Sequence, residues 1–318
     1  MDPVLGHESA LEYWRSVRAG SRHFRTVAHA RKLLAAPPNV KDLAGPGPWW
    51  LARPFHVLVG NAGARRTSEQ VKSHIWALPV PKGAVLDTQN GFCVTSPEFT
   101  FLLMSERMGL IDLVKVGFEL CGSYDLSAGT VRPCQPLTTV AKLRTFVVKA
   151  SHARGRKKAL RALRFVIDGS ASPRETVLAM LLCLPYKLGG YGIELPVLNC
   201  RIDVPARARS VSSKQFYRCD LYWPRANLAL EYDSDQEHLG SKNAASDSAR
   251  RIALDELGVD VVTVTTLQIA SREEMERIAI HVSRCLGKRL QCPGSAFAVA
   301  NLRLRTELLG RLPEKSAS

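Results

Sequence analysis

The sequence predicts an α/β protein built in two parts, and three observations carry that expectation. Apolar residues make up 46% of the 318 and charged residues only 23%, the composition of a packed chain. Helix-start signals alternate with short apolar runs of strand length. The charge is also divided unevenly. Residues 1–170 hold 24 basic and 12 acidic side chains and residues 171–318 hold 20 and 17, so the first part carries +12 of the net +15. Two cores are expected at this length, because a single core stops growing near about 250–300 residues.

In the first part, residues 10–18 and 23–34 have helical spacing, and the chain turns irregular at Pro37-Pro38 and Gly45-Pro46-Gly47-Pro48. Phe55-His56-Val57-Leu58-Val59 reads as a strand. Arg65, Arg66, Lys72 and His74 follow it, as phosphate contacts or as an ordinary charged loop. Ser96-Pro97-Glu98 then opens an apolar helix reaching about Met108, with Ser as cap and Pro at the first helical position. The densest basic stretch, residues 149–164, carries Lys149, Arg154, Arg156, Lys157, Lys158, Arg161 and Arg164 and no carboxylate. It reads either as a phosphate-binding helix or linker or as a solvated basic face. Expected boundaries are a basic α/β domain over 1–148, a linker or helix over 149–164, a second domain over 165–290, and a helix and tail over 291–318.

In the second part, Ser172-Pro173-Arg174-Glu175 has the form of a capping box, with Glu175 also on the apolar side of the helix it opens. The runs 216–223 and 228–233 flank a turn at Pro224-Arg225-Ala226-Asn227 and predict an antiparallel hairpin that brings Asp220 beside Glu231. Carboxylates converging on a buried sheet repel one another, and a divalent cation would relieve this. Asp235, Glu237 and His238 precede a helix expected over 247–257. In it Asp247 and Arg250 either form a local ion pair or bring Arg250 to a phosphate. Gly258 ends that helix, and residues 259–265 read as a buried strand. Leu188-Gly189-Gly190-Tyr191-Gly192 lacks a GK[ST] ending and reads as a turn.

The surplus of positive charge points to nucleic acid or an anionic membrane surface. A membrane is not expected, because no apolar run approaches the roughly 20 residues of a spanning helix. Residues 1–10 are polar and acidic, so no signal peptide is expected. The eight cysteines contain no CxxC pair and several lie in apolar runs, which predicts buried, reduced thiols and a cytoplasmic protein. No histidine is read as paired with a cysteine at zinc-ligand spacing.

A helix with Glu175, a strand with Asp220, a strand with Glu231-Tyr232-Asp233, a helix with Arg250 and a closing strand together resemble the PD-(D/E)XK nuclease superfamily. Cys219-Asp220-Leu221-Tyr222-Trp223-Pro224, Leu230-Glu231-Tyr232-Asp233-Ser234 with His238, and Asp247-Ser248-Ala249-Arg250-Arg251 are similar to its Vsr-like branch of bacterial proteins. The resemblance spans about residues 160–285. It implies a restriction-endonuclease-like fold with an α-β-β-β-α-β core. Mg²⁺ or Mn²⁺ would be held by Asp220 and Glu231, assisted by Glu175, with DNA as substrate. Asp233 stands where the superfamily usually has lysine, leaving Arg250 or His238 to position the attacking water. Ser234 replaces a more usual glycine. The first part is similar to AbiEi-type antitoxins through His56-Val57-Leu58-Val59, Arg65-Arg66, Val71-Lys72-Ser73-His74 and Val94-Thr95-Ser96-Pro97-Glu98, without a recognisable winged helix over 1–50. That likeness implies a partner from a toxin–antitoxin or defence system. Arg65, Arg66, Arg154, Arg156, Lys157, Lys158 and Arg161 are the expected DNA contacts, and a catalytically degenerate DNA-binding regulator is the alternative reading.

Overall fold

A computed structural model of the chain describes residues 2–18, 24–38, 50–127, 130–204, 214–233, 250–290 and 294–310. The chain is mixed α/β and divides into two compact units, residues 1–168 and 169–318. The basic stretch 149–164 lies inside the first.

The first unit is built on six strands: β1 (Val4–Leu5), β2 (Arg25–Thr26), β3 (Phe55–Val59), β4 (Val71–Ile75), β5 (Val85–Asp87) and β6 (Cys93–Thr95), in the order β2-β5-β6-β1-β3-β4. Helix α1 (His7–Val17) buries Tyr13, Trp14 and Val17 in a cluster with Phe55, Val57, Phe92 and Val94. Trp14 Nε1 donates to the Thr95 carbonyl at 2.9 Å, so the ring is buried without an orphaned donor. The helix expected over 23–34 is corrected. Only α2 (Ala30–Ala35) is helical, because Arg25 and Thr26 pair with Asp87 and Leu86 as an edge strand, which β-branched Thr26 and Val27 suit.

The Ser-Pro-Glu signal holds: α3 (Pro97–Arg107) starts with Ser96 Oγ accepting from Phe99 N at 3.2 Å. Helix α4 (Leu110–Cys121), a short ladder of β7 (Tyr124–Asp125) with β8 (Arg132–Pro133), α5 (Val140–Lys149) and α6 (Arg156–Ala162) complete the unit.

The second unit opens with α7 (Pro173–Cys183), whose residues from Glu175 onward are all buried. It lies against a four-stranded sheet of β9 (Val197–Asp203), β10 (Phe216–Trp223), β11 (Leu228–Asp233) and β12 (Asp260–Thr265), in the order β12-β11-β10-β9. The first three strands form an antiparallel meander, turned between β10 and β11 by Pro224–Ala226 and by Asn227 at φ +48°. Strand β12 pairs parallel to β11, so the chain between them must cross over. Residues 250–256 are helical (α8) and lie between the two strands, and Gly258 at φ +68° follows them. Helices α9 (Thr266–Ala270), α10 (Arg272–Cys285) and α11 (Gly294–Leu309) follow.

The glycine-rich segment is a turn, as its sequence suggests, and it serves packing. Gly189 has φ +89°, and its carbonyl accepts from the buried Asn301 amide at 2.7 Å, which docks α11.

Candidate functional site

Strands β10 and β11 pair at Trp223↔Leu228, Tyr222↔Ala229 and Leu221↔Leu230. At Asp220 a side chain takes over, and its Oδ2 accepts the Tyr232 amide at 2.8 Å. Burial pushes the Asp220 carboxyl up to about 7. The negative charges of Glu175 and Glu231 add to this, while the Tyr232 hydrogen bond and Arg250 pull the other way.

Glu231 meets Arg250. The guanidinium Nη2 donates to the Glu231 carboxylate and also to the Arg218 carbonyl, and it sits 5.5 Å above the Tyr217 ring. Burial is the largest influence on Arg250 and opposes its charge, but the hydrogen bond to Glu231, the Glu231 charge and the nearby Cys219 and Asp220 together hold the guanidinium above its ordinary pKa. Tyr217, Cys219, Ala229, Ala253 and Leu254 pack together, which fixes α8 on the sheet. Burial there and the neighbouring Glu231 push the Cys219 thiol up to about 12, so it is inert.

Glu175 caps its helix in a modified form. Ser172 Oγ accepts from Glu175 N at 3.1 Å and donates to Oε1 at 3.0 Å, while Oε2 reaches Ala171 N at 2.8 Å instead of the Ser172 amide. Asn199 adds a bond to Oε2 at 2.6 Å and another to the Gly169 carbonyl at 3.0 Å. Burial raises the Glu175 carboxyl against these three donors. Asn199 was not legible as a site residue, although its φ of +48° is a conformation that asparagine tolerates better than most residues. Asn199→Gly keeps that conformation and deletes the amide. It is expected to lower stability by roughly 1–3 kcal/mol in urea unfolding, and an unchanged midpoint would show that the bonds contribute nothing.

Asp233 lies on β11 opposite Thr265. Asp235, Glu237, His238 and Asp247 fall outside the described residues. Among the described residues, no three donor atoms from Glu175, Asp220, Glu231 and Asp233 lie within 4.8 Å of one another.

The basic residues divide by role. Arg156 donates to the Val147 carbonyl at 3.2 Å and Lys158 to the Met108 carbonyl at 2.8 Å, so both satisfy backbone oxygens at helix ends. Arg65, Arg66, Arg154, Lys157 and Arg161 are exposed, with Arg154 3.6 Å from Glu106.

The reading of histidine and cysteine spacing is corrected. His281 and Cys285, four residues apart on α10, approach to 3.6 Å, and Asp260 lies 3.8 Å from the same imidazole. A helical i,i+4 pair was the signal that would have found them. Among the described residues, no helix is long and apolar enough to cross a membrane.

No family model matches the chain, and no curated protein or solved structure matches it either. Asp220 and Glu231 are hard oxygen donors, one of them desolvated, which suits Mg²⁺ or Mn²⁺.

Proposed function

We propose that the protein is a Mg²⁺-dependent DNA endonuclease whose second unit has a restriction-endonuclease-like fold and whose basic first unit holds the DNA. The observation that carries this is Asp220: a desolvated carboxylate beside two others, held at the point where the β10–β11 ladder gives way to a side chain. The order helix, three antiparallel strands, helix and parallel strand supports the fold assignment. Asp220 and Glu231 would hold the cation, which supplies an acidified water and polarises the phosphodiester. Arg250 places positive charge beside Glu231, where it would offset charge on a bound phosphate. Glu175, fixed by its capping bonds, adds negative charge next to Asp220. Asp233 stands where a lysine would orient water, and it cannot donate in its ionised form.

A second reading is favoured by the Arg250–Glu231 ion pair, which already neutralises one of the two metal-binding carboxylates. In that reading the nuclease-like unit is a scaffold for a DNA-binding regulator. Plasmid nicking separates the two. Wild type is expected to nick in Mg²⁺ or Mn²⁺ but not in EDTA, and Glu231→Ala is expected to fall to background. Salt-sensitive DNA binding without nicking would favour the scaffold. Equal cleavage by wild type and variant would remove the assigned site.

A further inference from the structure

Three donor atoms converge in the first unit. His56 Nδ1 lies 2.5 Å from Glu8 Oε2 and 3.1 Å from His74 Nε2, and all three atoms are within 4.8 Å of one another. The fold builds this deliberately. His56 and His74 come from the parallel pair β3 and β4, whose register sets Leu58 opposite His74, and Glu8 comes from the first turn of α1. Arg107 Nε binds the other oxygen of Glu8 at 2.7 Å, which orients Oε2 toward the imidazoles. His7 stacks on His74 with ring centroids 4.0 Å apart. His7 is itself unusual: it is 3% exposed, has φ +51°, and its Nδ1 has no hydrogen-bond partner among the described residues. A bulky residue held in that conformation at a polar cluster is strain that the surroundings must support.

Proton counting shows why hydrogen bonds alone serve this cluster poorly. A ring nitrogen carries either a proton or a lone pair, so His56 Nδ1 can donate to Glu8 or accept from His74, but not both. A cation gives the three lone pairs a common partner. Two imidazoles and one carboxylate suit a borderline ion such as zinc, with its fourth position open. Bonds of about 2.0–2.1 Å in a tetrahedron put ligand atoms roughly 3.3 Å apart. The His56–His74 separation is already close to that, and Glu8 Oε2, 2.5 Å from His56 Nδ1, need draw back by less than about 1 Å. A cavity of about 550 Å³ that includes His7, His74, Glu106 and Arg107 in its lining borders the cluster at His74, where it leaves room for a solvent ligand.

We propose that Glu8, His56 and His74 form a binding site for one zinc-class divalent ion in the first unit. Cobalt(II) is the probe, titrated into full-length apoprotein and followed by visible absorption. Wild type is expected to bind one equivalent with a tetrahedral d–d spectrum and without a thiolate-to-cobalt band. Cys285→Ser, which disables the exposed Asp260–His281–Cys285 group, should leave this spectrum unchanged. His74→Ala should weaken binding at least about 100-fold, and Glu8→Gln, nearly isosteric, should weaken it with an unaltered circular-dichroism spectrum. Absence of the spectrum in wild type, its persistence in Glu8→Gln, or its loss in Cys285→Ser overturns the proposal.

Discussion

Asp220→Asn is expected to stabilise the protein at about pH 8 by roughly 1–3 kcal/mol and to flatten its stability between about pH 4 and 7. In the folded chain Asp220 keeps its proton up to about 7, against an ordinary value of 3.8. The folded state therefore binds more protons than the unfolded state within that window, and wild-type stability falls as the pH rises through it. The contribution is complete below about pH 4 and gone above about pH 7. The full shift corresponds to roughly 4 kcal/mol at about 1.36 kcal/mol per pH unit. Because Glu175, Glu231 and Arg250 readjust when the site changes, the smaller figure is the expected one. The amide oxygen of asparagine can still accept from Tyr232, so the ladder survives the substitution. Urea unfolding of both proteins across the window measures the effect. A flat wild-type profile, or a variant less stable at about pH 8, would mean that no costly charge is buried there. If the proposed cation site is real, Mg²⁺ should recover wild-type stability at about pH 8 and leave the variant unaffected.

Gly189→Ala is expected to cost roughly 2–4 kcal/mol and to loosen the docking of α11. An added Cβ would lie 2.3 Å from the Ala300 carbonyl oxygen and 2.6 Å from its carbon, both backbone atoms that cannot swing aside. Gly192 is the matched comparison, since it also has positive φ, +65°, but the nearest atom to an added Cβ is 3.4 Å away in the Tyr186 ring. Gly192→Ala should therefore lose only the backbone penalty of about 1 kcal/mol. Equal losses in thermal or urea unfolding would show that the approach of α11 does not constrain Gly189.

Local rules made much of the fold legible. Ser96-Pro97 and Ser172-Pro173 mark helix starts because a hydroxyl cap and a fixed proline φ act within four residues. Pro224 to Asn227 marks the hairpin for the same local reason. Arg25-Thr26 was not legible, since an edge strand of two residues owes its form to β5, sixty residues later. The roles of Arg156 and Lys158 were also hidden. A basic run looks the same in sequence whether it faces a phosphate or a helix carbonyl, and only tertiary packing decides. Asp220, Glu231 and Arg250 could be singled out from their order along the chain. Asn199 could not, because its contact with Glu175 depends on how β9 lies against α7. The group of Glu8, His56 and His74 likewise draws on three distant segments.

The substitution of a carboxylate for a main-chain acceptor at Tyr232 also makes the site observable at one atom. The Tyr232 amide proton is bonded to the group whose ionisation is in question. In a ¹⁵N-resolved NMR spectrum its resonance should move downfield as Asp220 ionises and the bond becomes charge-assisted, and should shift again when a cation competes for the same oxygen. A single backbone signal would then follow both protonation and metal occupancy without a substrate.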